Sequence, residues 1–540
     1  MLKNIFNRAE RSIGLTIFFF FALTLLVRYF FPFLFWHLTN FPFQRSDPYI
    51  YVLKGLEIVH GDWSPIRTHA IGWPLLLAGL FRLTEGMSIF ENMVSASLLA
   101  TALSAITLFP LISITKRIDP SPRTLILTMA FFCFAFPLTV IEHSGAIAMS
   151  EPLFILLFLI SMALLYAAEK RPAMLLASAA VAGLAYWVRP NGVFILPVIL
   201  ISYWLWERKK GKRCFAYIAA ATAVFWAVST PFLLQRATWF SSAFDYGENS
   251  KYFSDTYTDA WGSAVPAVPF GNYASTHTLT DYADKFAIGG LLLLLTTIFL
   301  NTLPYLLMAT CNVAERGYAN KKTYPLYIAF FVWIVGLVPV FHIYYNPRHI
   351  MPLIPLFIVL AAHEFNGFIA EKERRDALTC AGIATAAFFM IGIFSFFLFT
   401  SKDRNVQTRD GAIWANWLSV RLKGKIAIGN GSDILTMQLP DARIGGRGMF
   451  DVIAPRTGLE TVYPGKFDDI NSLRPWLKKN AVDYVILDGT IKTSYSFAPD
   501  KYLSIYTGET FPSYLKQVYS NYETNSQWKV RAFSVDRKKL

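Results

Sequence analysis

Two arginines stand where apolar runs end, Arg189 in "WVRPNG" and Arg348 in "YYNPRHIMPLIP". Each is next to a proline. Proline lacks an N–H and constrains the residue before it, so each arginine belongs at a helix terminus. A guanidinium fixed there suits a phosphate, because its planar fork meets two oxygens at once. The ordinary alternative is an interfacial arginine whose head snorkels to water. Two arginines on the side of the chain otherwise poor in Lys and Arg favour the phosphate. His349 adjoins the second arginine and Tyr345 precedes it, so both join the substrate-binding candidates.

Carboxylates form the second set. Asp47 follows the first apolar run and opens "SDPYIYVLKGLEIVHGD", where it is expected as a helix N-cap with Pro48 at the first helical position. Glu151 opens the later run "MSEPLF", also before a proline, and Glu142 and His143 lie just upstream of it. A helix-start role accounts for either acid. Held beside arginines at a membrane surface, the same groups can take a proton from an acceptor hydroxyl. The two readings stand side by side at this point.

These residues need elements to position them, and composition says which kind. Of 540 residues, 54% are hydrophobic and 16% charged, and the mean hydropathy is +0.39. A soluble globular chain carries nearer a quarter charged residues, so the chain reads as a membrane protein. A spanning helix needs about 20 apolar residues. The candidates are 13–36, 92–115, 124–141, 152–168, 172–188, 191–206, 214–233, 287–310, 324–342, 348–368 and 377–400, with 172–206 also readable as one broken hairpin. This makes about eleven spans. With the N-terminus inside, the inner segments carry Lys3, Arg8 and Arg11; Lys116, Arg117 and Arg123; Lys170 and Arg171; Arg208, Lys209, Lys210, Lys212 and Arg213; Arg316, Lys321 and Lys322; and Lys372, Arg374 and Arg375. Every inner segment is basic, which sets the orientation and leaves the tail from residue 401 outside. The net charge of +14 is therefore a matter of topology, and nucleic acid is not an expected partner.

The outer segments 37–91, 234–286 and 401–540 are large. The first contains the amphipathic stretch after Asp47, expected to lie on the membrane surface, and the short apolar "THAIGWPLLLAGLFRL", expected to be interfacial or re-entrant. The second, with "DYGENSKYFSDTYTDAW", is rich in aromatics and acids and is a candidate cover for a cavity. In the tail, "KIAIGN", "DYVILDG" and "WKVRAFSV" read as strands and "INSLRPWLKKN" as a helix, which gives a small α/β or α+β soluble domain. The expected division is a transmembrane domain over 1–400 and a soluble domain over 401–540. The four cysteines, Cys133, Cys214, Cys311 and Cys380, lie in apolar runs or at their basic ends, with neither a disulfide framework nor metal-binding spacing.

The order of these features resembles the GT-C class of membrane glycosyltransferases, in the branch of the protein mannosyltransferases and the lipid A aminoarabinose transferase. The resemblance rests on "SDPYIYVLKGLEIVHGDW", "HAIGWPLLLAGL", "SEPLFILLFLI", "VRPNGVFILP" and "NPRHIMPLIPLFIVLAA", and covers about residues 10–370. It implies an all-α polytopic fold with outer amphipathic helices. It also implies transfer of a sugar, with inversion, from a polyprenyl-phosphate donor to a lipid, glycan or protein acceptor on the outer side of the membrane. Carried over, Asp47 is the general base and Glu151 orients the acceptor or assists the base. Arg189 and Arg348 hold the departing phosphate. The first loop has "SDP" in place of the paired Asp-Glu of the mannosyltransferases, and it lacks the Glu-containing signature of the aminoarabinose enzyme. Neither specific substrate therefore carries over.

The resemblance points to a bacterial inner membrane, with membrane lipids as further partners and the active site facing the periplasm. No cofactor is required by these residues. A divalent metal is an alternative if Asp47 and Glu151 converge. A multi-span transporter or lipid flippase is the main rival. It predicts internal repeats and charges in mid-span; no repeat is visible, and the charges crowd the outer boundary. A glycan polymerase or ligase of another membrane fold would also use outer arginines, and a non-catalytic scaffold would have no need of them.

Overall fold

A computed structural model describes residues 13–39, 46–61, 63, 70–84, 89–135, 149–236, parts of 291–309, 321–343 and 347–371. In the C-terminal region it describes 426–428, 461–462, 470–479, 482–488, 511–520 and 530–540. The helices are α1 (Ile13–Thr39), α2 (Ser46–Val59), α3 (Gly72–Leu83), α4 (Ile89–Ile106), α5 (Leu108–Ile118), α6 (Pro122–Cys133), α7 (Glu151–Ala168), α8 (Met174–Val188), α9 (Ile195–Glu207), α10 (Lys212–Arg236), α11 (Tyr324–Ile343) and α12 (Ile354–Glu371). Further helical residues lie between 291 and 309. Among the described residues, five helices are long and apolar enough to cross a membrane: Glu91–Ile118, Glu151–Ala168, Pro190–Lys210, Lys212–Leu234 and His349–Gly367. The expected span 377–400 and the outer segment 234–286 lie outside the description, apart from the last residues of α10.

Local chemistry explains where these helices break. The expected span 92–115 is two helices with a turn at Thr107. Pro110 lacks the N–H that would pair with the Ile106 carbonyl, so the ladder is interrupted one turn earlier. The stretch "VRPNGVFILP" turns from α8 into α9 through a 3-10 turn, Pro190–Phe194. The expected span 348–368 likewise starts with a 3-10 segment, Pro347–Leu353, before α12, because Pro352 and Pro355 withhold N–H groups from a regular helix there. The stretch after Asp47 forms α2 as expected. It starts at Ser46, so Asp47 lies inside the first turn and is not the residue that caps it.

Helices in lipid gain little from hydrophobicity against one another, and small residues that let backbones approach do the packing. α8, "MLLASAAVAGLAYWV", is built that way. Ser178 donates to the Ser161 carbonyl of α7 at 2.8 Å, and Ser161 donates back to the Ser178 carbonyl at 3.0 Å. On another face of α8, a Cβ at Gly183 would stand 2.9 Å from Val228 of α10. Between α5 and α6, Ser121 caps α6 by accepting from Thr124 N at 3.2 Å, and Pro122 follows at the first position. Asp119 ties this turn to α12. It accepts from Ser121 N (2.9 Å) and Thr124 Oγ1 (2.6 Å) and lies 3.3 Å from His363 Nδ1. Burial pushes the Asp119 carboxyl up, but the hydrogen bonds from Thr124, Ser121 and His363 outweigh it and hold it below its ordinary value.

One charge lies well inside the bundle. Arg28 of α1 is 2% exposed. It donates to Ser104 Oγ of α4 and to the Phe132 carbonyl at 3.3 Å, with its guanidinium 4.3 Å from the Phe132 ring centroid. Tyr305 donates to the adjacent Phe131 carbonyl at 3.2 Å. α6 ends at Cys133, so these are among the last carbonyls of a short helix; the Phe132 carbonyl also accepts from Ala135 N at 3.2 Å, and Arg28 adds a second donor. The expectation that charges crowd the outer boundary is therefore incomplete: Arg28 caps a helix end inside the bundle.

The C-terminal region contains a mixed sheet in the order β2-β1-β3-β5-β4. Its strands are β1 (Ile426–Ile428), β2 (Thr461–Val462), β3 (Tyr484–Asp488), β4 (Leu515–Ser520) and β5 (Val530–Val535), with α13 (Ile470–Lys479) between β2 and β3. β1 runs parallel to β2 and β3, and β5 runs antiparallel to β3 and β4. The expected strands at 426, 484 and 530 and the expected helix at 470 are all present. β4 carries no alternating pattern strong enough to have been read.

Candidate functional site

Glu151 is the first residue of α7 and is 1% exposed. A carboxylate in a first helical turn is favoured by the partial positive charge of that end. Its Oε1 accepts from Nη1 of Arg189, so the pair forms a largely buried ion pair. Arg189 closes α8 with extended backbone, φ −152° and ψ 137°, the conformation that Pro190 imposes on the residue before it. Its N–H donates to the Ala185 carbonyl at 3.0 Å, and its carbonyl accepts from Gly192 N at 2.9 Å.

Two glycines let other backbone close around this arginine. A Cβ on Gly192 would stand 2.5 Å from Tyr186 N, and a Cβ on Gly72, at the head of α3, would stand 2.7 Å from the Trp187 carbonyl. Only glycine fits such approaches. The end of α8, the 190–194 turn and the start of α3 are thus pressed together beside Arg189.

The second arginine segment meets the first. His349, on the 347–353 turn, is buried, and its Nδ1 lies 3.4 Å from Nδ2 of Asn191 on the 190–194 turn. Its carbonyl accepts from Trp333 Nε1 of α11 at 3.0 Å. Trp333 is fully buried, with ring centroids 5.1 Å from Phe158 of α7 and 5.6 Å from Phe194. The indole thus braces both turns and the helix that Glu151 begins. Arg348 lies on the same 3-10 turn as His349; its side chain is outside the described residues, as are Tyr345, Glu142 and His143.

α2 brings its own stripe. Position 47 shares a helical face with Tyr51 and Lys54, one and two turns on. Tyr51 and Lys54 are both buried, and the Tyr51 hydroxyl lies 3.5 Å from Ser150 Oγ, the residue before Glu151. Lys54 pairs with Glu57 at 2.8 Å. The Asp47 side chain is outside the described residues. The buried side of α2 therefore faces the start of α7.

Sequence reasoning singled out Glu151, Arg189 and His349, and the structure gathers them. It did not single out Lys54, Tyr51, Asn191 or Trp333, which the structure places beside them. Lys54 had a usable signal, a charge on the apolar side of an amphipathic helix, in register with Asp47. Trp333 had none beyond its residue type. The metal alternative requires Asp47 to converge with Glu151, and the Asp47 side chain lies outside the described residues; Glu151 itself is paired with Arg189. Among the described residues, no three His, Cys, Asp or Glu side chains come together as a metal site.

No protein-family model matches the chain, and no curated protein matches it. Solved structures do. ArnT from Cupriavidus metallidurans in the apo state superposes with a TM-score of 0.56 at 12% identity, over 97% of this chain and 98% of that one. The same protein bound to undecaprenyl phosphate superposes with a TM-score of 0.55 at 13% identity, over 96% and 97%. The oligosaccharyltransferase of Archaeoglobus fulgidus, in complex with zinc and sulfate, gives 0.52 at 12% identity, over 88% of this chain and 68% of that one. The fold of this chain is the one shared by these membrane glycosyltransferases, as its sequence resemblance to the GT-C class implied.

Proposed function

We propose that this chain is a GT-C membrane glycosyltransferase that moves a sugar from a polyprenyl-phosphate donor to an envelope lipid, glycan or protein acceptor. The observation that carries the reading is the buried Glu151–Arg189 pair, with the His349 turn docked beside it through Asn191. The fold likeness supports it, and one of the similar structures, ArnT, holds undecaprenyl phosphate.

In the proposed reaction the Asp47 carboxylate takes the proton of an acceptor hydroxyl. The acceptor oxygen attacks the anomeric carbon from the face opposite the phosphate, so the configuration inverts. The bond from that carbon to the phosphate oxygen breaks, and its electron pair leaves on the polyprenyl phosphate. Negative charge grows on the leaving phosphate, so fixed donors aimed at it stabilise the transition state more than the ground state. Arg348 and His349 fill that role. Arg189 pairs with Glu151 at the start of α7 and fixes the carboxylate where it can orient the acceptor and assist the base.

The same reading sets the N-terminus inside and about eleven spans across the membrane. It also sets the site at the outer surface of a bacterial inner membrane and 401–540 as an outer soluble domain. One observation speaks for a transporter instead, the buried Arg28 within the bundle. Here the guanidinium is already engaged by Ser104 Oγ and the Phe132 carbonyl, as a charge that holds helices together would be.

The test compares purified wild type, Asp47→Asn and Arg348→Ala. Binding of polyprenyl phosphate is measured first, then sugar release from a panel of polyprenyl-phosphate sugars with envelope extract as acceptor. The expected result is turnover by wild type, binding without turnover by Asp47→Asn, and lost carrier affinity in Arg348→Ala. A wild type that binds no polyprenyl phosphate, with Asp47→Asn indistinguishable from it in a transport assay, would replace the enzyme with the transporter.

A further inference from the structure

We propose that the tip of the α9–α10 hairpin, together with the turn at 321–323, binds the headgroup of an anionic phospholipid at the membrane surface. The inference stands apart from the sugar-transfer reading and needs only that these helices span the bilayer.

α9 and α10 belong to two apolar segments long enough to cross a membrane, Pro190–Lys210 and Lys212–Leu234. The residues that join them therefore lie where hydrocarbon gives way to headgroups. Five of the six residues 208–213 are Lys or Arg, and Gly211 is the exception. They fold into a tight turn. Arg208–Lys210 is a 3-10 turn, and Gly211 takes φ 52° and ψ −122° before α10 begins at Lys212. Glycine adopts that positive φ without steric cost. All five cations are exposed. The acid that precedes them, Glu207, is buried and pairs with Lys210. Arg208, Lys209, Lys212 and Arg213 have no carboxylate partner among the described residues. Lys212 and Arg213 also open α10, at the helix end that carries partial positive charge.

A second basic turn is docked beside the first. Trp206 of α9 donates to the Lys321 carbonyl at 3.1 Å, and Tyr166 of α7 donates to the Lys322 carbonyl at 2.8 Å. Both rings are buried, with centroids 5.7 Å apart. These bonds hold the backbone and leave the Lys321 and Lys322 side chains exposed. Sidedness alone does not call for so many charges: the α7–α8 turn has two cations, Lys170 and Arg171, beside Glu169.

Apolar surface favours a lipid over a soluble anion. α10 is the least buried of the five apolar segments found among the described residues. Trp204 and Phe215, on either side of the turn in sequence, are both exposed. The Arg208 guanidinium stands 6.0 Å from the Trp204 ring centroid, within cation–π reach. Tryptophan with cations beside it is the pattern of the headgroup boundary. A phospholipid meets both features, with its phosphate at the cations and its acyl chains along α10.

The full chain is reconstituted in nanodiscs of phosphatidylcholine, with and without phosphatidylglycerol. Lysines are acylated with a succinimidyl ester, and the modified peptides are quantified by mass spectrometry. Lys116, exposed at the end of α5 in another basic segment, is the internal reference. Phosphatidylglycerol is expected to slow labelling of Lys209, Lys212 and Lys321 roughly fivefold relative to Lys116. In native mass spectrometry, Lys209→Gln/Lys212→Gln is expected to hold phosphatidylglycerol roughly fivefold more weakly for each cation removed. Lys116→Gln/Arg123→Gln is expected to match wild type. Equal slowing at Lys116 would mean a diffuse surface potential and would overturn the site, as would equal labelling in the two lipids. Inorganic phosphate that protects the same lysines in phosphatidylcholine discs would assign the turn to a free anion and overturn the lipid. The wild-type labelling decides alone if the double variant does not accumulate.

Discussion

The Glu151–Arg189 pair behaves as a unit because neither partner tolerates burial alone. Removing one charge takes from the other its counter-ion in a low-dielectric site, a loss of about 3–5 kcal/mol. Glu151→Leu and Arg189→Met are each expected to lower the melting temperature in detergent sharply. The double variant is expected to recover much of that loss while remaining inactive. Recovery of stability without activity would mark the pair as functional; losses that simply add would mark its members as independent. The types of these residues were legible in the sequence, since each stands beside a proline at the end of an apolar run. Their pairing was not. Arg189 was read as a phosphate ligand, and nothing between positions 151 and 189 announces that the two side chains meet. The Asn191–His349 contact spans 158 residues and depends on two 3-10 turns whose docking no local pattern records.

At the scale of elements, backbone approach limits what the site tolerates. Gly192→Ala would force a Cβ against Tyr186 N, and backbone cannot rotate away as a side chain can. A destabilisation of about 1–3 kcal/mol is expected, with weaker carrier binding as the turn shifts, and thermal melting alongside a binding isotherm checks both. At the other end of α12, Asp119 gives a test with a definite pH window. Its folded pKa is depressed, so its contribution is present above the unfolded value near 3.9 and is lost as pH falls through the folded one. Asp119→Asn is expected to melt below wild type at pH 7, by the equivalent of about 1–2 kcal/mol. The gap should begin to narrow as the pH falls below about 4 and close below the lower folded value. A gap unchanged with pH would show that shape, not charge, holds that turn. The helices themselves were largely readable, because apolar length and basic linkers mark spans one at a time. Their interruptions were read less well: Pro110 and Pro352 were visible, but the longer apolar pattern around each hid the break.

Across the whole molecule, three of the five strands of the sheet near the C-terminus were legible, two as short apolar runs and one from alternation, and the GT-C likeness was legible from the order of weak motifs none of which is specific alone. The fold likeness extends over most of the chain at 12–13% identity, so the likeness lies in the succession of elements and not in residue identity. Arg28 carries a consequence for how such a chain is made. Translation delivers α1 to the bilayer long before α4 and α6 exist. Until they arrive, its guanidinium has neither Ser104 nor the Phe132 carbonyl to bond. A charge near the centre of a lone helix opposes insertion by roughly 2.5–3.5 kcal/mol. α1 is therefore expected to partition poorly by itself and to settle only when its later neighbours are synthesised. In a reporter fusion, the isolated first helix should integrate less efficiently than its Arg28→Leu counterpart, and extension of the fusion through residue 135 should abolish the difference. Equal integration of the two isolated helices would mean that the arginine finds water or lipid phosphate from the start. Otherwise a helix made before α4 and α6 is committed to the bilayer only after them, and biogenesis is coupled to the burial of a single side chain.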